Sequence, residues 1–339
     1  MKGRLIALDH WDGREAAALL VDGRLEDLLL EPRESLRLGT IIRARVERPL
    51  KGQGGVIVSW PGGEGFLRRA KGLTPGALIL VQVSGYAEPG KAQPVTDRLL
   101  LKSRYVIVTP GSPGLNISRA IKDDDRRDAL KGVALEGMDG SAPDVGLIVR
   151  SAAAQADDAD ILDDISAMRA AFEELPQGDA PSILAEGDGP HLIAWREWTE
   201  PAQVETQNGS FTDLDVIDSI EAAFSPEVSL GPHSMAIEPT RALVAVDVNT
   251  GSDLSPAAAL KANLAAVKDL PRQLRIRGLA GQITIDFAPL SKRDRRQVET
   301  ALRAAFRACP VETEVIGWTP LGHMELKRKR ERPLLRRAT

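Results

Sequence analysis

Three polar residues close to the ends of two apolar segments carry the clearest chemical signal in this sequence. Asp247 and Asn249 lie in VAVDVNTG (244–251), and Asp286 lies in GQITIDF (281–287). Runs of this kind predict buried strands, and acids are mostly excluded from strands and cores. Two acids at the ends of two such strands therefore indicate a shared divalent cation. Asn249 is predicted to point to the same face as Asp247 and to orient a ligand or a bound water.

The ligand chemistry of this pair favours a hard cation. Carboxylate oxygens with no Cys or His close by are typical of Mg²⁺ or Mn²⁺ sites. The histidines have no metal-ligand spacing, and we interpret all four as structural or surface residues: His10, His191, His233 and His323. The alternative is that Asp247 and Asp286 only cap the segments that follow them. The pattern alone does not separate these two interpretations.

The motifs around these acids resemble the ribonuclease E/G family in order and spacing. VAVDVNTG is followed by ANLAAVKDLPRQLRIRGLAGQITIDF and then by GHMELKRKRERPLL. The resemblance implies that Asp247 and Asp286 hold a catalytic Mg²⁺ in a DNase I-like domain, with Asn249 supporting them. One departure follows directly. In the family, the second acid is usually followed by Phe and then by Ile-Asp-Met. Here Phe287 is followed by Ala-Pro-Leu (288–290), so the family's Asp close to the second acid is missing.

Length and composition limit the possible classes of protein. A chain of 339 residues predicts two or three domains. No run is long or apolar enough to span a membrane, and MKGRLIALDH does not resemble a signal peptide. The single cysteine, Cys309, excludes an internal disulfide and is typical of a reducing cytoplasm. Because the net charge is −4, any RNA site must be a local basic patch.

The segment 39–103 predicts a small barrel. Gly and Pro clusters separate five short apolar runs: TIIRARVE, GGVIVSW, EGFLRR, ALILVQVSG and TDRLLLKS. The resemblance implies an S1-type OB-fold that binds RNA, in which Phe66 is a base-stacking residue. A second family aromatic is absent at Val56 or Ile57. Barrel core is the alternative for Phe66, and a solvated rim is the alternative for the basic residues: Arg43, Arg45, Arg48, Lys51, Arg68, Arg69 and Lys71.

A strand-like run, DVGLIVRSAA (144–153), ends in Arg150 and Ser151. The family has an Arg-Thr pair there that recognises a 5′-monophosphate on RNA, and this pair keeps the guanidinium fork and the hydroxyl. A surface arginine at a strand end is the alternative. The acidic residues of 155–180 predict an amphipathic helix with a solvated outer face, and 154–210 matches the family weakly.

A long helix is predicted after Gly251, with Ser255 as N-cap and Pro256 as first residue. One stripe is apolar and is predicted to pack on the sheet: Leu260, Leu264, Val267 and Leu274. A second stripe is basic and is predicted to meet phosphates: Lys261, Lys268, Arg272 and Arg275. Pro271 lies inside the pattern and is predicted to kink the helix.

The C-terminal region carries a second helix and a basic stretch. Ser291 and Asp294 resemble a capping box, and the helix is predicted to bury Val298, Leu302, Phe306 and Cys309. The stretch HMELKRKR matches a part of the family near the cleavage site, and this implies RNA contacts by Arg328 and Arg330. A disordered basic tail is the alternative, above all for Arg336 and Arg337.

The combined prediction is an α/β fold with three parts. An RNase H-like domain (1–38 and 104–210) contains the inserted barrel (39–103), and a DNase I-like catalytic domain with a basic tail follows (211–339). The predicted function is Mg²⁺-dependent endonucleolytic cleavage of single-stranded RNA to 5′-phosphate and 3′-hydroxyl ends. The alternatives are an RNA-binding protein of this fold with weakened or lost catalysis, and a metal-dependent phosphodiesterase that acts on another substrate.

The cysteine content predicts how copies of the chain associate. Longer family members share a zinc ion between two chains through a paired-cysteine motif. A structural zinc site needs four ligands, commonly thiolates, and this chain offers only Cys309. We therefore expect no structural zinc, and a monomer or a dimer formed without zinc.

Overall fold

The structure is a computed structural model that describes residues 2–50, 52, 54–68, 72–88 and 90–337. Three of the basic residues predicted for the barrel, Lys51, Arg69 and Lys71, lie outside the described residues. The chain divides into two compact units. Unit 1 is Met1–Glu31 with Ala202–Thr339, and unit 2 is Pro32–Pro201.

The elements are numbered in chain order. The strands are β1 Arg4–Trp11, β2 Arg14–Val21, β3 Arg24–Leu30, β4 Ile41–Leu50, β5 Gly55–Trp60, β6 Gly63–Arg68, β7 Leu78–Val83, β8 Gln93–Thr96, β9 Leu101–Lys102, β10 Val106–Thr109, β11 Leu115–Ile117, β12 Gly146–Val149, β13 Ser182–Ala185, β14 Gln203–Glu205, β15 Glu227–Leu230, β16 His233–Pro239, β17 Val244–Asn249, β18 Gly281–Asp286, β19 Thr313–Trp318 and β20 Met324–Arg328. The helices are α1 Asp124–Gly137, α2 Asp158–Glu173, α3 Pro190–Glu197, α4 Ser210–Asp213, α5 Val216–Ala222, α6 Pro256–Arg277 and α7 Lys292–Ala308.

Unit 1 contains two sheets. The first has the order β14-β1-β2-β3, with β14 parallel to β1. Asp22 and Gly23 join β2 to β3 with φ angles of 50° and 78°, the conformation that a two-residue hairpin turn requires. Phe211 and Ile276 belong to the core of this sheet. Because β14 and this core tie the first 31 residues to 202–339, the contacts group the chain differently from the prediction, which joined 1–38 to 104–210.

The second sheet of unit 1 has the order β15-β16-β17-β18-β20-β19. Its core contains the alternate residues of β17 and β18 together with the apolar side chains of α6 and α7. The residues between them are exposed or half-buried, so one face of each strand is covered and the other is open. The two predicted strands are present but are buried on one face only, because α6 and α7 cover that face.

The long helix α6 begins and ends on local signals. Ser255 Oγ accepts a hydrogen bond from Ala258 N at 3.2 Å, and Pro256 is the first helical residue, as predicted. The helix continues through Pro271 to Arg277 and stops at Gly278, which has a φ of 63°. A Cβ at Gly278 would lie 1.9 Å from the Pro333 carbonyl oxygen, so only glycine fits there.

The helix α7 also follows the prediction. Ser291 Oγ accepts from Asp294 N at 3.2 Å and donates to Asp294 Oδ2 at 2.7 Å. Three of the four predicted apolar residues are buried against the sheet: Val298, Leu302 and Phe306. Cys309 caps the helix and is only partly buried.

Unit 2 contains a closed five-stranded β-barrel, consistent with an OB-fold. Its strands run β4-β5-β6-β8-β7, and β7 pairs with β4 to close it. The fifth barrel strand is Gln93–Thr96, and not the predicted run TDRLLLKS. Leu101–Lys102, which belongs to that run, is instead β9, the edge strand of a second sheet with the order β11-β12-β10-β9. The helices α1 and α2 share the core of this second sheet, with Ile161 and Ile165 buried on the acidic helix as predicted.

None of the described helices combines the length and the apolar character needed to cross a membrane.

Candidate active site

The two predicted acids lie side by side on the open face of the second sheet in unit 1. β17 and β18 are parallel, and Asp247 is the register partner of Asp286. Both side chains are exposed, with Asp286 at 64 %. Their carboxylates therefore share one surface at the carboxyl ends of two neighbouring strands. The sequence argument from burial was wrong, because these acids face solvent, but the pairing that it predicted is present.

Asn249 supports the first acid directly. Its Nδ2 donates to Asp247 Oδ2 at 2.9 Å, and both residues lie on the open face of β17. This contact fixes the carboxylate orientation and leaves the other oxygen of Asp247 available to a ligand.

The second acid has a neighbour that the sequence did not indicate. His323, which we interpreted as structural, has Nε2 at 3.8 Å from Asp286 Oδ1. It precedes β20 in the turn after Trp318. Trp318 itself packs on Phe287, with ring centroids 5.7 Å apart, and carries the guanidinium of Arg295 at 5.0 Å from its ring centroid. These contacts fix the segment that follows Asp286 and place a cation in the same turn region.

A buried amide on α6 holds the backbone after β18. Asn263 is 0 % exposed, donates through Nδ2 to the Ala288 carbonyl at 2.9 Å and accepts from Ala288 N at 3.0 Å. Both backbone polar groups of Ala288 are thus bound by one side chain. This clamp lies two residues beyond Asp286, at the point where the sequence departs from the family pattern.

The donor set fits a hard divalent cation. Two carboxylates on one solvent-facing surface suit Mg²⁺, which is commonly held by one or two carboxylates and completes its coordination with waters and substrate phosphates. Within the described residues, no group of three or more His, Cys, Asp or Glu side chains is placed to hold a metal. The remaining ligands would therefore come from water and from a bound substrate.

The four residues of the predicted basic stripe on α6 differ in their exposure to solvent. Lys261 and Lys268 are exposed. Arg272, in contrast, binds Asp269 Oδ1 at 2.7 Å and the Leu25 carbonyl at 2.6 Å, and Arg275 is only 7 % exposed. The prediction that Arg272 and Arg275 face phosphates is corrected, because their guanidiniums are used inside unit 1.

Arg275 and Arg328 enclose the only cysteine. Each has Nη1 at 3.5 Å from Cys309 Sγ, and Arg275 also binds Glu26 Oε1 at 2.6 Å. Burial alone would raise the pKa of the thiol, but the charges and hydrogen bonds of the two arginines outweigh it and lower that pKa below its usual value. Arg328 is 3 % exposed and donates to Thr313 Oγ1 at 2.7 Å, so the expected RNA contact of Arg328 is corrected as well.

Arg330 remains nearer the surface. It is half-buried, and its guanidinium lies against the start of β18, where a Cβ on Gly281 would come within 2.5 Å of Nη2.

In unit 2, Arg150 is already bound to protein groups. Its Nη1 donates to the Ser103 carbonyl at 2.6 Å, and its Nη2 contacts Glu197 Oε2 at 2.5 Å. Ser151 is exposed beside it. Burial raises the pKa of Glu197, but the charges of Arg150 and Arg196 outweigh this and lower it below its usual value. Glu197 is therefore ionised at neutral pH and competes with any phosphate for Arg150.

On the barrel, Phe66 lies outside the core. It alternates with the buried residues Gly65 and Leu67 on β6 and is half-exposed. Its ring covers Gly55, where an added Cβ would come within 2.5 Å of it, and its register partner is Ile57. Arg68 is exposed two residues further on the same strand. The strand thus presents an aromatic ring and a cation on one outer face.

A model of the Ribonuclease E/G family matches residues 100–198 and 194–331 of the chain. The chain belongs to the ribonuclease E/G family.

Relatives within this family are moderately similar. Ribonuclease E of Nostoc sp. is 28 % identical over 307 residues, covering 76 % of this chain and 44 % of that protein. Ribonuclease E of Haemophilus influenzae is 28 % identical over 307 residues, covering 78 % and 32 %. Ribonuclease G of Escherichia coli is 27 % identical over 298 residues, covering 76 % and 60 %. The chain thus spans about half the length of these relatives.

Three residues that the sequence analysis did not assign to a site shape the candidate ribonuclease E/G sites. Asn263 clamps the peptide after Asp286, His323 approaches Asp286, and Glu197 neutralises Arg150. A buried Asn inside an otherwise apolar helix pattern is a detectable signal, since such a side chain requires partners. The other two contacts join residues 37 and 47 positions apart, and no local pattern indicates them.

Proposed function

We propose that this chain is a divalent-metal-dependent endoribonuclease that cleaves single-stranded RNA to 5′-phosphate and 3′-hydroxyl ends. The observation that carries the proposal is the register pairing of Asp247 with Asp286 on the open face of the sheet, within a ribonuclease E/G chain. The proposal includes an RNase H-like part and a DNase I-like part, and an S1-type identity for the barrel.

The roles of the residues follow from their placement. Asp247 and Asp286 would hold Mg²⁺ or Mn²⁺, and Asn249 would keep Asp247 oriented toward it. The bound cation would supply polarisation of the scissile phosphate and activation of a water. Arg295, in the same turn region, is the cation that we assign to the RNA phosphates near the reaction, in place of Arg272, Arg275 and Arg328.

Unit 2 would supply further contacts to the RNA. Phe66 would stack on one base and Arg68 would contact a phosphate. Arg150 and Ser151 would favour RNA with a 5′-monophosphate, if the phosphate displaces Glu197 from Arg150. We expect a preference of about tenfold or more for 5′-monophosphate over 5′-hydroxyl RNA.

A second candidate is an RNA-binding protein of the same fold that has lost catalysis. The observation that favours it is the small donor set, because the acid expected after Phe287 is replaced by the Ala-Pro-Leu run at 288–290.

One assay separates the two candidates. A labelled, unstructured RNA is incubated with the protein in Mg²⁺ and in EDTA, with 5′-monophosphate and 5′-hydroxyl versions compared and the product ends analysed. The proposal predicts internal cleavage in Mg²⁺ only, with 5′-phosphate products. RNA binding without any cleavage of several such RNAs would favour the second candidate.

A further inference from the structure

A tryptophan on the surface of unit 2 leaves about half of its area open to solvent. Trp195 lies on α3 and is 49 % exposed, whereas Trp198, one turn later, is buried. A single exposed apolar side chain is ordinary on a protein surface, so a site is indicated here by the cation beside this ring. α3 lies near the end of the first segment that the family model matches, residues 100–198, and the sequence resemblance assigned no role to Trp195.

The covered side of the ring carries a cation. The guanidinium carbon of Arg104 lies 5.2 Å from the Trp195 ring centroid. Arg104 donates to the backbone carbonyls of Trp195 and Thr199, and both bonds hold its plane against the end of α3. Among the described residues no carboxylate pairs with Arg104, so its charge is not neutralised by the protein.

The surroundings of the ring are basic. Arg196 is paired with Asp188 and Glu197, and Arg150 is paired with the same Glu197. These two arginines are thus paired with carboxylates, and Arg104 is the cation beside the ring that has no carboxylate partner among the described residues. An open aromatic surface beside an unneutralised guanidinium is the combination that binds single-stranded nucleic acid, because a base stacks on the ring and its phosphate meets the cation.

We infer that Trp195 and Arg104 form a stacking subsite for a base close to the 5′ end of single-stranded RNA, next to Arg150. Ser103 connects the two positions, since its carbonyl accepts from Arg150 at 2.6 Å and Arg104 follows it in the chain. The subsite rests on the proposed RNA binding, but it does not depend on cleavage.

The test measures the binding of unstructured 5′-monophosphorylated RNA 12-mers in EDTA, so that catalysis does not contribute. The RNAs carry an abasic ribose at nucleotide 1, 2 or 3, or at nucleotide 10 as the control. The proteins are wild type, Trp195→Ala, the conservative Trp195→Phe, and Leu192→Ala. Leu192 is a matched control, since it is 50 % exposed one turn earlier on the same helix.

We expect Trp195→Ala to weaken binding of the intact RNA by roughly tenfold, and Trp195→Phe to retain most of the affinity. Wild type should bind one of the three abasic RNAs roughly tenfold more weakly than the intact RNA. Trp195→Ala should bind that abasic RNA and the intact RNA with the same affinity. Leu192→Ala should bind like wild type.

Three outcomes would overturn the inference. In the first, Trp195→Ala binds every RNA with wild-type affinity. In the second, the affinity lost in Trp195→Ala adds fully to the affinity lost with each abasic RNA, which would show that Trp195 and these bases do not interact. Equal losses in Leu192→Ala and Trp195→Ala would show that the effect is not specific to the Trp195 ring. If wild type binds RNA and never cleaves it, the subsite stands and the proposed catalysis fails, whereas no RNA binding at all would reject both.

Discussion

Replacing Asn263 by Ala tests whether the buried clamp holds the segment after Asp286. The wild-type side chain makes two hydrogen bonds to Ala288, at 2.9 and 3.0 Å, and is fully buried. The variant loses both bonds and leaves the Ala288 N–H and C=O without partners. Each lost bond costs about 1 kcal/mol, and a buried unpaired group costs roughly 1–3 kcal/mol. Because water can enter part of the space, we expect a loss of about 3 kcal/mol in the stability of this region.

Two readouts are needed, since a chain of two units need not unfold in one step. Amide hydrogen exchange, followed by mass spectrometry of peptides that cover 283–290, reports the local loss, and the melting temperature reports the global one. In the variant, exchange at Ala288 should accelerate by at least about a hundredfold, the factor that corresponds to roughly 3 kcal/mol. The cleavage rate should fall as well, because Asp286 is no longer fixed.

Asn249→Ala is the matched control for this experiment. It removes an exposed Asn that contacts Asp247, so it should change stability by less than about 0.5 kcal/mol and leave exchange at Ala288 unchanged. Exchange at Ala288 that is the same in Asn263→Ala and wild type would refute the clamp.

Three further predictions concern other contacts. Asp269→Asn should cost about 3 kcal/mol at neutral pH, since it breaks a largely buried pair with Arg272. Burial raises the pKa of Asp269, but hydrogen bonds from Arg272 and Gln273 and nearby positive charges lower it below its usual value. The stability that this pair contributes is therefore present above about pH 4 and is lost as the pH falls through the lowered pKa. The free energies of unfolding of variant and wild type, measured by denaturation from pH 7 to pH 2, should converge at low pH, and a constant difference would contradict the assignment. Glu197→Gln should increase the preference for 5′-monophosphate RNA in a competition assay, because it removes the charge that neutralises Arg150, and an unchanged or smaller preference would contradict that role. Phe66→Ala should weaken RNA binding by roughly tenfold without lowering the melting temperature by more than a few degrees, and a large loss of stability would indicate a core role instead.

Features that depend on neighbouring residues were predictable from the sequence. The N-caps at Ser255 and Ser291 are confirmed, because each conformation is selected by side chains within a few positions of it. The barrel was also predictable, since regular Gly and Pro punctuation marks its short strands, and the structure closes it with five strands.

Features that depend on distant residues were not predictable. Arg275 binds the backbone and side chain of Glu26, which lies 249 positions away on β3, and this contact decides that its guanidinium is buried. The spacing of Arg272 and Arg275 on α6 is the same whether the stripe faces solvent or another strand, so periodicity alone does not distinguish the two. The fifth barrel strand was misplaced for the same reason, because its pairing with β6 and β7 fixes it at 93–96.

The pair of acids was predicted on a wrong premise. The apolar runs around Asp247 and Asp286 indicated full burial, but helices cover only one face of these strands. The sequence did place each acid in the second half of its strand, and parallel pairing in register then brings them together.

The most direct test of the proposed catalytic pair is the initial rate of cleavage of one 5′-monophosphorylated single-stranded RNA in Mg²⁺. Wild type, Asp247→Asn and Asp286→Asn are compared with Glu314→Gln, which removes an exposed acid from the edge strand of the same sheet. Either Asp variant should lose more than about a hundredfold, because even residues that only support a metal ligand contribute roughly 10- to 100-fold. RNA binding in EDTA and the Glu314→Gln rate should stay at wild-type values. Cleavage by Asp247→Asn or Asp286→Asn at the wild-type rate would contradict the assignment of this pair.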